Sequence, residues 1–279
     1  MSAAPKALSL PRWATELRSL VTSNLKENKD LISYAFASYD QDSTGTTHPH
    51  VRYVVHRGLA NERRQEGDGS SNLIADNDGN EYLSDKLVIT TDARSPKARQ
   101  LAASPAVELA WWLSATAHQF RIVGRAYVLP SPSFSHTPST SGTAASARDA
   151  DPTASAFSFP FPAAKLAPYD GFDWEQERVR QFRKLSPELR ASFYRPVPGT
   201  KLADWDGEME QLPETLPEGV EEAEGDEQKK QVEQAMKNMA LVVIDPTVID
   251  LVDLGSQPNT RTLWTLGDEY EWKEEGLVP

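Results

Sequence analysis

The stretch Leu87–Gln119, LVITTDARSPKARQLAASPAVELAWWLSATAHQ, is the one on which the reading of the fold turns. It opens on Leu87-Val88-Ile89-Thr90-Thr91, a β-branched run that predicts a strand. Asp92 and Arg94 follow, and Ser95-Pro96-Lys97 marks a helix start. Serine accepts a hydrogen bond at the N-cap, and proline, with its φ already fixed, suits the first helical position. The helix is expected from Pro96 to Ala103, where Pro105 stops it, with a buried strand at Ala106–Leu113. N–H groups at the helix start, beside the hydroxyls of Thr90, Thr91 and Ser95 and nearby cations, suit a phosphate. An ordinary strand, turn and capped helix is the simpler reading of these residues alone, so the rest of the chain must decide.

Downstream, His118–Leu129 alternates Phe120, Ile122, Gly124 and Ala126 with Arg121, Val123, Arg125 and Tyr127, which predicts a long strand. Upstream, apolar residues at helical spacing over Arg12–Leu25 predict a helix, and LISYAFAS (Leu31–Ser38) and HVRYVVHR (His50–Arg57) predict strands. Asn77-Asp78-Gly79-Asn80 reads as a tight turn within the polar segment that follows. Five strand-like runs with one short intervening helix favour an antiparallel barrel or sandwich over a doubly wound sheet.

Residues 130–168 are dominated by Ser, Thr, Ala and Pro and read as a disordered insertion or long surface loop. Helices are expected at Asp173–Lys184 and from Ser186-Pro187-Glu188 to Phe193. The acidic, turn-rich stretch 202–225 is expected to be mobile. Met239–Ile244 and Val248–Leu254 flank Asp245-Pro246-Thr247 as an expected β-hairpin, with last strands near Arg261–Leu266 and Tyr270–Lys273. The expected organisation is a single domain over 11–279, interrupted by 130–168 and 202–225, behind a flexible 1–10.

Composition narrows the function. With 39% hydrophobic and 25% charged residues, the 279-residue chain reads as globular and soluble. No apolar run is long enough to span a membrane, and no secretory signal is visible at the N-terminus. The absence of cysteine excludes disulfides, thiolate catalysis and Cys-ligated metals, and is compatible with the expected cytoplasmic location. A net charge of −12 argues against nucleic-acid binding. A nucleophile elbow, a Walker A loop and a G-x-G-x-x-G turn are all missing, so serine hydrolysis, P-loop chemistry and Rossmann dinucleotide binding lose their usual anchors. His48, His50 and His56 invite a metal, but no carboxylate of their strand completes the set; neutral surface histidines are the expectation.

What remains is Arg52, Arg57, Thr90, Thr91, Ser95 and Lys97 on adjacent strand ends, with Gln119 opening the next long strand. Arginine's fork and lysine's point charge suit a phosphate ester, and a glutamine amide can read the edge of a ring. Arg52 and Arg57 have opposite parity on a regular strand, so a bulge or the strand end near Gly58 must re-aim one of them.

The motifs HVRYVVHRG, LVITTDARSPKARQLAASPAVELAWW, QFRIVGRAYVLP, LSPELRASFYRP and ALVVIDP together resemble the pyridoxamine 5′-phosphate oxidase-like FMN-binding family, and within it the branch common in fungi and plants. The resemblance covers most of residues 11–129 and 173–279. It implies a mainly β fold with peripheral helices, an antiparallel, Greek-key-like split β-barrel. It also implies a homodimer with FMN at the subunit interface and an oxidoreductase acting on a small-molecule redox substrate. Carried over by position, Arg52 to Arg57, including Val54 and Val55, would run along the flavin. Thr90 and Thr91 would contact it, Ser95 and Lys97 would sit at the phosphate, and Gln119 and Arg261 would lie near the ring. Two departures stand out. Pro96 occupies the place of a phosphate-binding arginine, for which Arg94 is one substitute. Ser256-Gln257-Pro258-Asn259 replaces the arginine–leucine–histidine triplet that binds the pyridoxal moiety. FMN binding therefore carries over better than oxidation of pyridoxamine or pyridoxine 5′-phosphate, and the alternatives are that oxidase activity itself or a non-enzymatic FMN carrier or partner-binding protein.

Overall fold

Strands with period-two burial build the main core: Tyr34, Phe36, Leu109, Trp111, Phe120 and Ile122 all turn to one side and are fully buried. The computed structural model describes residues 10–64, 71–73, 84–135, 158–205 and 207–279. Their strands are β1 (Ser33–Gln41), β2 (Thr47–Val55), β3 (Glu62–Arg64), β4 (Ser71–Leu73), β5 (Leu87–Asp92), β6 (Ala106–Leu113), β7 (His118–Leu129), β8 (Met239–Asp253), β9 (Thr260–Leu266) and β10 (Trp272–Leu277). The helices are α1 (Arg12–Glu27), α2 (Pro96–Ala103), α3 (Ala163–Leu166), α4 (Trp174–Arg183), α5 (Pro187–Ser192) and α6 (Gly225–Asn238). The expected tight turn at Asn77–Asn80 and most of the expected insertion lie outside the described residues. The insertion's flanks are described: Phe134 and Phe159 pack on the main core, and Leu166 of α3 is buried.

Eight strands form one antiparallel sheet in the order β10-β9-β8-β7-β6-β1-β2, with β5 branching from β8. This corrects the expected split β-barrel. The sheet is open, ending at β10 on one side and at β2 on the other, and helices make the whole a mixed α/β structure. The reason lies in β8. Its outer edge is divided, Met239–Ile244 pairing with β5 and Val248–Asp253 with β9, so the sheet branches and runs outward to β10. Past the end of β2 the chain does approach β5, through Arg57 N–H to Val88 O (2.8 Å), Val88 N–H to Gly58 O (2.9 Å) and Ala60 N–H to Lys86 O (2.8 Å). Only the single bridge Leu59↔Leu87 results, not a ladder.

The expected hairpin around Asp245-Pro246-Thr247 is also overturned: β8 is continuous for 15 residues. Pro246, which cannot donate to a ladder, sits at a bulge opposite Val123/Gly124. Gly124 makes this possible, because a Cβ there would lie 2.4 Å from Asp245 O and 2.9 Å from Pro246 Cα. α6, which the sequence reading did not anticipate, buries Val232 and Ala235 against Phe182 and Phe193. Within 202–225, Trp205 and Leu216 are buried, and Leu216 exchanges hydrogen bonds with Pro187 O and the Arg190 guanidinium.

Candidate functional site

β2 ends at Val55, so Arg57 lies beyond the strand and escapes its alternation. Gly58, at φ +108°, turns the chain so that it can run beside β5; a residue with a Cβ would be strained there. Arg52 and Arg57 thereby reach the same cavity, which resolves their parity conflict. The cavity, of about 610 Å³, lies between β2, the end of β5, the start of α2 and the α5 region. That volume falls within the range of small-molecule sites. Its walls carry Arg52, Val54, Val55, Arg57, Thr90, Thr91, Ser95 and Lys97. Eight of the ten expected site residues are thus brought together.

α2 begins as its sequence predicts. Ser95 Oγ accepts from Ala98 N–H (3.3 Å), Pro96 stands in the first turn, and Thr91 Oγ1 meets Ser95 Oγ at 3.2 Å. This cap fixes Lys97 on the cavity wall. Among the described residues the Lys97 ammonium has no hydrogen bond or ion pair. Burial pulls its pKa down to about 8, with the neighbouring Arg52 charge adding to the effect. Arg57 is in a similar position: its Nε is buried without a partner, and burial lowers the guanidinium pKa. Leaving such a donor unmet costs about 1–3 kcal/mol, more for a charged group. Two uncompensated cations and a capped helix start therefore make this cavity fit for a phosphate.

Arg94, one substitute that the resemblance offers for a phosphate-binding arginine, is turned to other partners. Its guanidinium clasps Asp92 (Nε–Oδ1 3.0 Å, Nη2–Oδ2 2.7 Å) and reaches Phe193 O and Arg195 O at 3.2 and 2.9 Å. It ties α2 to α5 and does not line the cavity. Arg52, Arg57 and Lys97 are the cations that line it.

Gln119 and Arg261 lie elsewhere. Trp112, Gln119, Val252 and Arg261 form one row across β6 to β9, on the exposed side of the sheet. β7 stands three strands from β2, about 14 Å, and β9 two further, about 24 Å. Arg261 is engaged by Asp250 through two hydrogen bonds of 3.0 and 2.9 Å, and Arg121 shares the same carboxylate. The histidines take no part in the cavity. His48 pairs with Asp42 and His50 with Asp40 on the β1–β2 hairpin. His56 is not the surface residue expected, being buried against Tyr34 and Trp111. Among the described residues no group of three or more possible ligands could hold a metal.

Sequence reasoning missed the far wall: Leu189, Ser192, Phe193 and Pro198, with Ser33 and Tyr53 at the rim. The Ser186-Pro187 start of α5 repeats the Ser95-Pro96 signal, with Ser186 Oγ accepting from Leu189 N–H. No local pattern could say that these two capped helices meet.

Residues 10–130, less than half of the chain, match the family described as "Pyridoxamine 5′-phosphate oxidase, FMN-binding domain". Over that stretch the chain is similar to that family's FMN-binding domain. No curated protein matches the sequence. Among solved structures, a pyridoxamine 5′-phosphate oxidase-related, FMN-binding protein from Nostoc punctiforme PCC 73102 is 20% identical at a TM-score of 0.58, over 97% of this chain and 99% of that one. At that identity the likeness shows a shared fold. PhzG from Burkholderia lata 383, in complex with tetrahydrophenazine-1-carboxylic acid, aligns over 99% of this chain and 94% of that one at 11% identity and a TM-score of 0.49. No described helix is long and apolar enough to cross a membrane.

Proposed function

We propose that the protein is an FMN-binding flavoprotein, an oxidoreductase acting on a small-molecule substrate, and that it belongs to the branch of the family common in fungi and plants. The observation that carries this reading is the pair of uncompensated cations, Arg57 and Lys97, beside the capped start of α2. In this reading Arg57, Lys97 and Arg52 hold the phosphate, helped by the Ser95 and Thr91 hydroxyls. Val54 and Val55 lie along the flavin, and Thr90 closes that wall. When bound, FMN supplies the redox chemistry, accepting or donating hydride at its ring system. The protein's part is to orient the ring and exclude water. The far wall of Leu189, Ser192, Phe193 and Pro198 carries no cation, which favours a substrate without a second phosphate at that wall.

We place Gln119 and Arg261 at the same ligand, supplied by a second copy of the chain. Within one chain they are too far from the cavity. They share the exposed sheet face with Val51, Tyr53, Trp112 and Val123, and Tyr53 is 79% and Trp112 46% exposed. Apolar side chains in such a cluster are an expected feature of an interface. A homodimer would cover them and carry Gln119 to the partner's cavity.

The direct test is flavin itself. The purified protein is expected to be yellow, or to quench the fluorescence of added FMN and gain melting temperature with it. A colourless preparation that does neither defeats the proposal. If FMN binds, turnover of pyridoxamine 5′-phosphate with oxygen distinguishes the oxidase activity from another substrate, and light scattering reads the dimer.

A further inference from the structure

The cavity's third cation is held differently from the other two. Arg52 Nη1 donates to Ser38 Oγ at 2.6 Å and to His50 O at 3.2 Å, and Nη2 donates to Gln100 Oε1 at 2.9 Å. Ser38 Oγ in turn donates to the same Gln100 oxygen at 2.7 Å. Both acceptors are buried, Ser38 at 4% and Gln100 at 5% exposure, and neither carries charge. The nearest acid in this chain of contacts is Asp40. It meets Gln100 Nε2 at 3.3 Å and His50 Nε2 at 3.2 Å, not the guanidinium. A neutral amide thus stands between the carboxylate and the arginine, and its orientation is fixed from both sides, oxygen to Arg52 and nitrogen to Asp40.

We infer that Ser38 and Gln100 are positioning residues for the anion pocket, bracing Arg52 through uncharged acceptors so that it faces the cavity with its charge unspent. The inference rests on the phosphate-pocket reading given above. An arginine clasped by a carboxylate, as Arg94 is by Asp92, offers a ligand little net charge. An arginine held by a hydroxyl and an amide keeps a full positive charge in a fixed place. Arg52 Nε and one N–H of Nη2 remain without a partner among the described residues, as donors for an anion. Arg52 also acts on Lys97, whose lowered pKa records the Arg52 charge beside the larger effect of burial.

Gln100→Glu is the deciding variant, because it keeps an oxygen beside Arg52 and adds the charge that the brace avoids. Lysine titration in the ligand-free protein, followed by NMR after 13C-methylation of lysines, reads Lys97 directly. In Gln100→Glu its midpoint is expected to rise by about half a unit or more from about 8. Affinity for inorganic phosphate, measured by calorimetry, is expected to fall about tenfold. An unchanged Lys97 midpoint with unchanged phosphate affinity overturns the inference, since a merely structural Gln100 would move only the melting temperature. Should Gln100→Glu fail to fold, Gln100→Met and Ser38→Ala decide the matter. Each is expected to weaken phosphate binding at least threefold (~0.7 kcal/mol), and parental affinity in both overturns the inference. Because Lys97 is read without ligand, a protein that shows the shift yet ignores FMN would refute the flavin proposal and leave this inference standing.

Discussion

The protein has two clusters of lysine and arginine at β5, and they are built on opposite principles. At the start of β5, Lys86 is buried against Asp85 (2.6 Å) and Asp245 (3.0 Å), and Lys165 of α3 closes on the other Asp245 oxygen at 2.8 Å. Burial pushes the Lys86 pKa down, but the two carboxylates more than offset it and the net shift is upward. In the cavity beyond β2, Arg57 and Lys97 are also partly buried, and the carboxylate that lines the same cavity, Asp92, is held by Arg94 instead of answering them. Two lysines around one aspartate serve the fold. Two cations with no acid of their own, in a chain of net charge −12, are what the proposed function would answer with a phosphate.

The contrast can be broken from either side. The largest effect is expected from Arg57→Ala with Lys97→Ala. Losing two charge-assisted hydrogen bonds of about 1.5–3 kcal/mol each should weaken FMN binding by more than 100-fold, while the unfolding midpoint in denaturant hardly moves. Equal loss of binding and stability would make the pair structural. Asp245→Ala should do the reverse. It leaves the buried Lys86 with Asp85 alone and frees Lys165, and unfolding should show a loss of about 1–3 kcal/mol with flavin affinity kept in the folded fraction.

A smaller effect concerns pH. Free Lys97 titrates near 8, and a bound phosphate would raise that value. Affinity should therefore be full below pH 8 and fall by up to tenfold per unit above it, until the pKa of the bound state is passed. Calorimetry at pH 8.5 in buffers of different ionisation enthalpy should show proton uptake on binding; no uptake would remove Lys97 from the phosphate site. The smallest effect belongs to Arg94→Ala, expected to change flavin affinity less than twofold and to lower stability by about 1–3 kcal/mol through the unpaired Asp92. A large binding loss there would restore Arg94 as the substitute for the displaced arginine.

How much of this was legible in the sequence follows from how local each signal is. α2, β6 and β7 have the bounds that caps, prolines and alternation predict, because each of those signals is complete within a few residues. The cation pocket was legible for a related reason: the residues that build it lie in two short motifs on neighbouring strand ends. The hairpin at Pro246 misled because proline usually marks a turn. Only contact with Gly124, more than a hundred residues earlier, shows that it is a bulge. Whether the sheet closes is likewise not written in any strand. It depends on which edge of β8 each neighbour takes. Ser38 and Gln100 escaped notice because a buried polar residue on an otherwise apolar face looks like noise until its partner is seen.

β8 has one more consequence, for how the chain is made. Thr90 and Thr91 at the cavity wall pair with Leu241 and Ala240. β1, β2, β6 and β7 lie close in sequence and can form their ladders early during synthesis. β5 must wait for a strand about 150 residues downstream, and so does the wall it carries. The nascent sheet therefore leaves the ribosome with this cavity unfinished, and the wall is completed only once β8 has emerged.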